Sequence, residues 1–290
     1  MRLFASHEPP LELDACKPCG MVWFDPQEFE TVPEGVVAAP DQLILQGREA
    51  LALYKVQQLA EQARTEDPLP DETWKIIPAL FDFPVESDGN PVSRLPWATW
   101  SLAVVILIVS LWAFTNLNDV VDRFGLIPAE LWRYGGLTTL TSFFLHADFM
   151  HLIGNLYFLM IFGDNVEDYL GRGRYLLLIL LATLAGDFLH VVAQPASTIP
   201  CVGASGGISG VIAFYALKFP RVRLGFLFRY FLYFRWIQIP AWGAFVLWSV
   251  LQFGLAFMQL GGFSEVAALA HLGGAAVGVG VWLWQRKVNG

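Results

Sequence analysis

Residues 203–219 read Gly-Ala-Ser-Gly-Gly-Ile-Ser-Gly-Val-Ile-Ala-Phe-Tyr-Ala-Leu-Lys-Phe. Small and polar residues open the stretch, and an apolar run with one lysine closes it. A helix over 204–219 would rise only about 24 Å, which is short of the roughly 30 Å hydrocarbon core of a bilayer. If this stretch crosses a membrane, its start must be sunk below the surface. Irregular backbone at that depth is tolerated only where it is buried in protein or lines a water-filled cavity. Ser205 is therefore expected at a buried helix N-terminus, reached through the loop 194–203.

The rest of the chain supports the membrane reading. Of its 290 residues, 55% are hydrophobic and only 15% charged, against roughly 25% charged in ordinary soluble domains. The charge is unevenly placed. Residues 1–95 carry 17 Asp/Glu against 7 Lys/Arg, and residues 96–290 carry 9 against 11. The front is thus acidic and water-compatible, and the body nearly charge-free. An acidic front argues against a nucleic-acid partner, because phosphate binding needs clustered Lys and Arg. Residues 1–20 include Glu8, Glu12, Asp14 and Lys17 and no long apolar core, unlike a signal peptide.

Six apolar segments stand out: about 97–115, 143–163, 174–193, 204–219, 240–260 and 265–285. Together they predict an all-α integral membrane protein, a bundle of six spanning helices behind a small soluble N-terminal region. Arg172 and Arg174 follow the second segment, Arg221, Arg223, Arg229 and Arg235 the fourth, and Arg286 and Lys287 the sixth. The loops after the third and fifth carry no Lys or Arg. The positive-inside rule then puts both termini in the cytoplasm. The long first loop, 116–142, is aromatic and leucine-rich, and is expected to lie partly in the membrane interface. Ahead of the body, 42–64 reads as a soluble helix, and the six prolines of 67–96 read as linker.

Strongly polar residues inside such segments are expensive and usually functional. His146, Asp148, His151 and Asn155 interrupt the second segment, with His151 and Asn155 four apart and so on one helical face. His271 lies six residues into the last segment, about 9 Å down by helical rise. Ser205, His271 and the His151/Asn155 pair are thereby expected at one depth on one side. Gly274 and Gly278 on the face of His271, and Gly206 and Gly210 behind Ser205, would let the two helices meet closely. A serine hydroxyl within reach of an imidazole is the minimum equipment for nucleophilic acyl transfer. Asp164, Glu167 and Asp168 read as structural and Cys201 as an unpaired thiol. Asp187 and His190 read as polar residues near an outer helix end touching water, with a further functional pair as the other reading.

Four motifs in order carry a resemblance: Trp132-Arg133; His146-Ala-Asp-Phe-Met-His151-Leu-Ile-Gly-Asn155; Gly203-Ala204-Ser205-Gly206; and Ala270-His271-Leu-Gly-Gly274-Ala-Ala-Val-Gly278. Over about 96–286 the chain resembles the rhomboid intramembrane serine proteases. The resemblance implies Ser205 as nucleophile, His271 as general base, and His151, Asn155 and the Ser205 backbone N–H as oxyanion hole. It implies transmembrane segments of other proteins as substrates, the lipid bilayer as solvent and no cofactor for catalysis. A bacterial inner membrane is the expected location. The alternative is a catalytically silent rhomboid-like protein that binds client helices. Many members carry an aromatic residue four positions after the nucleophile, stacked on the histidine. This chain has Ser209 there, so packing against the fourth segment is expected to orient His271.

The front adds one further expectation. Cys16-Lys-Pro-Cys19-Gly20 resembles half of a small zinc ribbon, which gives the division 1–35 partial zinc-ribbon-like segment, 36–95 soluble helix and linker, 96–290 membrane domain. Structural zinc takes four ligands. Cys16 and Cys19 would supply two, with an upstream Cys-x-x-Cys expected before Met1; a vestigial, metal-free knuckle is the other reading.

Overall fold

The computed structural model describes residues 2–5, 11–15, 22–23, 51–56, 75–87, 92–230, 233–264 and 266–289. The chain divides into two compact units, Met1–Glu66 and Asp67–Gly290.

In the first unit β1 (Arg2–Ala5), β2 (Leu11–Ala15) and β3 (Val22–Trp23) form an antiparallel sheet in that order. Arg2 stands opposite Asp14, and Asp14 opposite Trp23. Residues 51–56 are helical, as expected within 42–64. Cys16 and Cys19 lie outside the described residues, and with them the zinc expectation.

The second unit is mostly helical. After the short α1 (Ile76–Leu80) come α2 (Trp97–Ala113), α3 (Leu117–Phe124), α4 (Thr138–Thr141) and α5 (Phe149–Leu170). They are followed by α6 (Arg172–Ala193), α7 (Ser205–Lys218), α8 (Ala241–Leu260) and α9 (Ala268–Asn289). Among the described residues three stretches are long and apolar enough to cross a membrane: Trp97–Phe124, Arg172–Ala193 and Ala241–Leu260. A fourth qualifies as a broken pair, Thr138–Phe144 with Phe149–Leu170, bent by 93°. The expected second segment, 143–163, thus hides a break: Asp148 caps α5 by accepting from His151 N at 2.8 Å, and the chain before it turns away. The helix α7 has 14 residues, about 21 Å of rise. The helix α9 is long enough, but its glycines and His271 dilute its hydropathy.

The body is not all helix. The strands β4 (Val85–Glu86), ahead of α2, and β5 (Arg223–Tyr230) and β6 (Tyr233–Pro240), between α7 and α8, form one antiparallel sheet. The stretch 223–240, read only as a basic loop, alternates aromatic and aliphatic residues with arginines, a pattern that suits a pleated surface. The expected linker also carries structure: Val85 of β4 and Ala79 of α1 pack with Trp236 of β6, and Asp82 pairs with Arg229 at 2.9 Å.

At the centre α6, α7 and α9 meet through small residues. A Cβ on Gly274 or Gly278 would collide with the carbonyl oxygens of Gly206 and Gly210 respectively. One on Gly210 would stand 2.5 Å from Ala182, and one on Gly273 2.6 Å from the Ala185 carbonyl. These helices touch backbone to backbone, the close approach that small residues permit in lipid. Around them pack Leu159, Phe162, Tyr175, Leu178, Phe214 and Tyr215. As expected, Glu167 is structural. It accepts from the Ala98 and Thr99 amides at 3.0 and 2.7 Å and from the Thr99 hydroxyl at 2.9 Å, satisfying donors that the start of α2 leaves free.

Candidate active site

Ser205 is the first residue of α7. Its backbone approach is set by Gly203, whose φ of +127° suits glycine alone and whose N–H donates to the Ser142 carbonyl at 2.9 Å. A side chain on Gly203 would also have no room. Its Cβ would stand 2.8 Å from the His151 Nε2 and 3.8 Å from the Ser205 Oγ. Those two groups therefore border the same small space.

The loop before Ser205 is clamped by the first loop. Leu126 and Cys201 exchange two backbone hydrogen bonds of 3.0 and 2.8 Å, and Ala129 N donates to Ser197 O at 3.0 Å. Arg133 holds the first loop in turn, donating to the Asp122 and Gly125 carbonyls at 2.6 and 2.9 Å. Its neighbours Trp132 and Tyr134 stay 80% and 61% exposed, the surface expected of a loop lying in the membrane interface.

The expected partners converge. The Ser205 Oγ stands 2.8 Å from the His271 Nε2. His151 and Asn155 line the same cavity of about 810 Å³ as Ser205 and His271. The Asn155 Nδ2 donates to the His151 carbonyl at 2.9 Å, which leaves its second N–H to point elsewhere. His146 is fully buried, has its Nδ1 2.9 Å from the Ser110 hydroxyl, which itself donates to the Phe144 carbonyl, and sets its ring edge-to-face with His151, centroids 5.0 Å apart. His146 thus supports the ring of His151.

What holds His271 differs from the expectation. The Ser209 hydroxyl turns back to donate to the Ser205 carbonyl at 2.7 Å. The contacts come from α8: the Gln252 Oε1 lies 2.8 Å from the His271 Nδ1, and the Trp248 ring lies at 6.5 Å, tilted by 34°. With a carboxamide oxygen against Nδ1, that nitrogen carries the proton and Nε2 is left as the acceptor for the serine hydroxyl. Sequence reasoning missed Gln252, although a glutamine inside a hydrocarbon-length segment was itself the signal. His190, read as a helix-end residue, contributes its Nδ1 to the Gln259 Nε2 at 3.0 Å. Among the described residues no group of three or more His, Cys, Asp or Glu could hold a metal ion.

A serine hydroxyl bonded to an imidazole, at a helix start beside a cavity, inside a bundle of apolar helices: the fold and the site define a membrane protein with a serine–histidine pair in its helical core. The chain belongs to the rhomboid family, for the Rhomboid domain matches residues 128–286. It is 27% identical over 195 residues to RHOMBOID-like protein 12, mitochondrial, of Arabidopsis thaliana, covering 61% of this chain and 54% of that protein. It is 34% identical over 154 residues to Rhomboid-like protein 11, chloroplastic, of the same plant, covering 50% and 51%. It is 29% identical over 187 residues to the human presenilin-associated rhomboid-like protein, mitochondrial, covering 62% and 46%. The chain spans about half the length of these relatives. All three are organellar by name, so they lend no support to the expected bacterial inner membrane.

Proposed function

We propose that this chain is an intramembrane serine endopeptidase that cuts transmembrane segments of other membrane proteins. The observation that carries the reading is the 2.8 Å contact between the Ser205 Oγ and the His271 Nε2. It is the geometry a general base needs to take the nucleophile's proton. Ser205 attacks the scissile carbonyl as its proton passes to His271. The oxyanion forms beside the His151 and Asn155 side chains and the Ser205 backbone N–H. That amide belongs to the first turn of α7, where backbone donors have no helical partner. The imidazolium returns the proton to the leaving amine, and a water drawn from the cavity releases the acyl enzyme by the same path in reverse. Removing one oxyanion donor typically costs about 2.7–4 kcal/mol of barrier, so His151 and Asn155 are needed as well as the pair.

In this reading the chain crosses the bilayer six times. Its basic loops keep both termini on the cytoplasmic side, and Ser205, His271 and His151 share the opposite half. The short α7 supports it, since a helix of this length spans only from a sunken start. The test is covalent labelling of the full chain in liposomes with a serine-reactive fluorophosphonate. Wild type is expected to label and Ser205→Ala to lose labelling at unchanged melting temperature. Equal labelling of the two sinks the protease reading and leaves a silent helix-binding protein.

A further inference from the structure

We infer that Gln252 is the positioning residue of the base: its carboxamide, carried on α8, fixes the tautomer and aim of His271. The inference rests on the Ser205–His271 reading above.

The argument starts from which residues of α8 are hidden. Beyond Ala241 at its start, only Gln252, Ala256 and Gln259 of this helix are buried. Their spacing of four and three puts them on one stripe. The rest of the helix surface is apolar and open, with Phe253 65% and Phe257 81% exposed, as suits a helix solvated by lipid. The helix is inside out relative to a soluble one. Its two buried glutamines are the expensive residues, and each hydrogen-bonds to α9.

Both glutamines grip the same turn of α9. The Gln252 Oε1 accepts from the His271 Nδ1 at 2.8 Å. Seven positions on, the Gln259 Oε1 accepts from the Leu269 backbone N–H at 3.1 Å, a first-turn donor with no helical partner. The Gln259 Nε2 spans to the end of α6, donating to the Gln194 Oε1 and the His190 Nδ1 at 3.0 Å each. Side chain and backbone of one turn are therefore tied to one face of α8. A neutral amide suits the place. It accepts from Nδ1 as a carboxylate would, without the cost of a charge at that depth. On the other flank Ser209 commits its hydroxyl to the Ser205 carbonyl, so the restraint comes from α8.

Gln252→Leu keeps the shape and removes the acceptor, and Gln252→Glu keeps the acceptor and adds charge. Both are measured in the full chain in liposomes, by the rate of fluorophosphonate labelling from pH 5 to 9. Cleavage of a single-span helix gives kcat and KM separately. Gln252→Leu is expected to lower the labelling rate and kcat by about 10- to 100-fold, less than loss of a charged partner costs in soluble triads, with KM within about twofold. Gln252→Glu is expected to restore the rate at alkaline pH. Its acid limb should move to higher pH by about one unit, because a carboxylate beside Nδ1 favours the imidazolium. A merely structural role would leave that limb in place. Wild-type rates in Gln252→Leu, or an unmoved acid limb in Gln252→Glu, overturn the inference. If Gln252→Leu loses its fold, the limb in Gln252→Glu decides alone. Failure of the protease reading is distinguishable, because wild type itself would then not label.

Discussion

The two flanks of α9 are held by opposite means. Towards α6 and α7 it is held by backbone: Gly274 and Gly278 lie so close to the Gly206 and Gly210 carbonyls that no side chain fits. Towards α8 it is held by amides: Gln252 takes its imidazole and Gln259 its first turn. The first flank belongs to a packed core, with 39% of the apolar stretch of α6 buried against 17% of that of α8. Glycine contact decides where the helix axis sits, through dispersion and shape, and cannot be loosened by degrees. Amide contact decides which way one ring points, and can be broken and remade at modest cost. A serine–histidine pair in lipid needs both, since proximity without the correct tautomer leaves the base unable to accept.

Three substitutions break or sharpen that contrast. The largest effect is expected from Gly274→Ala, which drives a methyl group into the Gly206 carbonyl. Overpacking typically costs about 1–3 kcal/mol and occasionally more, and here the obstacle is backbone that has no rotamer to give. Size-exclusion and melting profiles in detergent should show loss of folded protein, and a wild-type melting temperature would refute the backbone-contact account. Gln259→Leu should be milder, leaving the Leu269 N–H and the His190 ring without their partner. Unpaired buried groups cost about 1–3 kcal/mol, so a lower melting temperature with a few-fold loss of labelling is expected. Labelling lost as fully as in Gln252→Leu would show that the backbone tie, and not the imidazole contact, aims the base.

The smallest effect is expected at the far end of α7, away from both flanks. Burial pushes the Glu86 carboxyl up to about 7, against a downward pull from its hydrogen bond with the Tyr215 hydroxyl. The fold thus disfavours the ionised form, and stability should fall as pH rises from about 4.5 to about 7. Wild type should melt higher at pH 5 than at pH 8, and Glu86→Gln should flatten that difference without altering labelling. A slope that persists in Glu86→Gln assigns it to another group.

Much of the helical body was legible because a bilayer demands long apolar segments, and observed helices such as Arg172–Ala193 and Ala241–Leu260 begin and end within a few residues of the expected ones. The meeting of Ser205 with His271 was legible too, from polar residues set in apolar segments and small residues on facing helices. Two parts were not. The sheet of β4, β5 and β6 was hidden because strand pairing joins residues far apart: Val85 stands opposite Gly225. The prolines of 67–96 read as linker, yet Trp236 packs on Val85 and Ala79 within that stretch. Gln252 was hidden because a single amide in an apolar run carries no spacing pattern, and its partner lies 19 residues away on another helix.

The sequence by itself determined that this is a membrane protein and which family motifs it carries, because hydropathy and motif spacing are local quantities. Only the tertiary structure decided how the histidine is held. The motif that would have supplied a stacking ring holds Ser209 instead. Which neighbour replaces it depends on the face that α8 turns inward, where burying an amide is favourable only if another helix completes its hydrogen bonds.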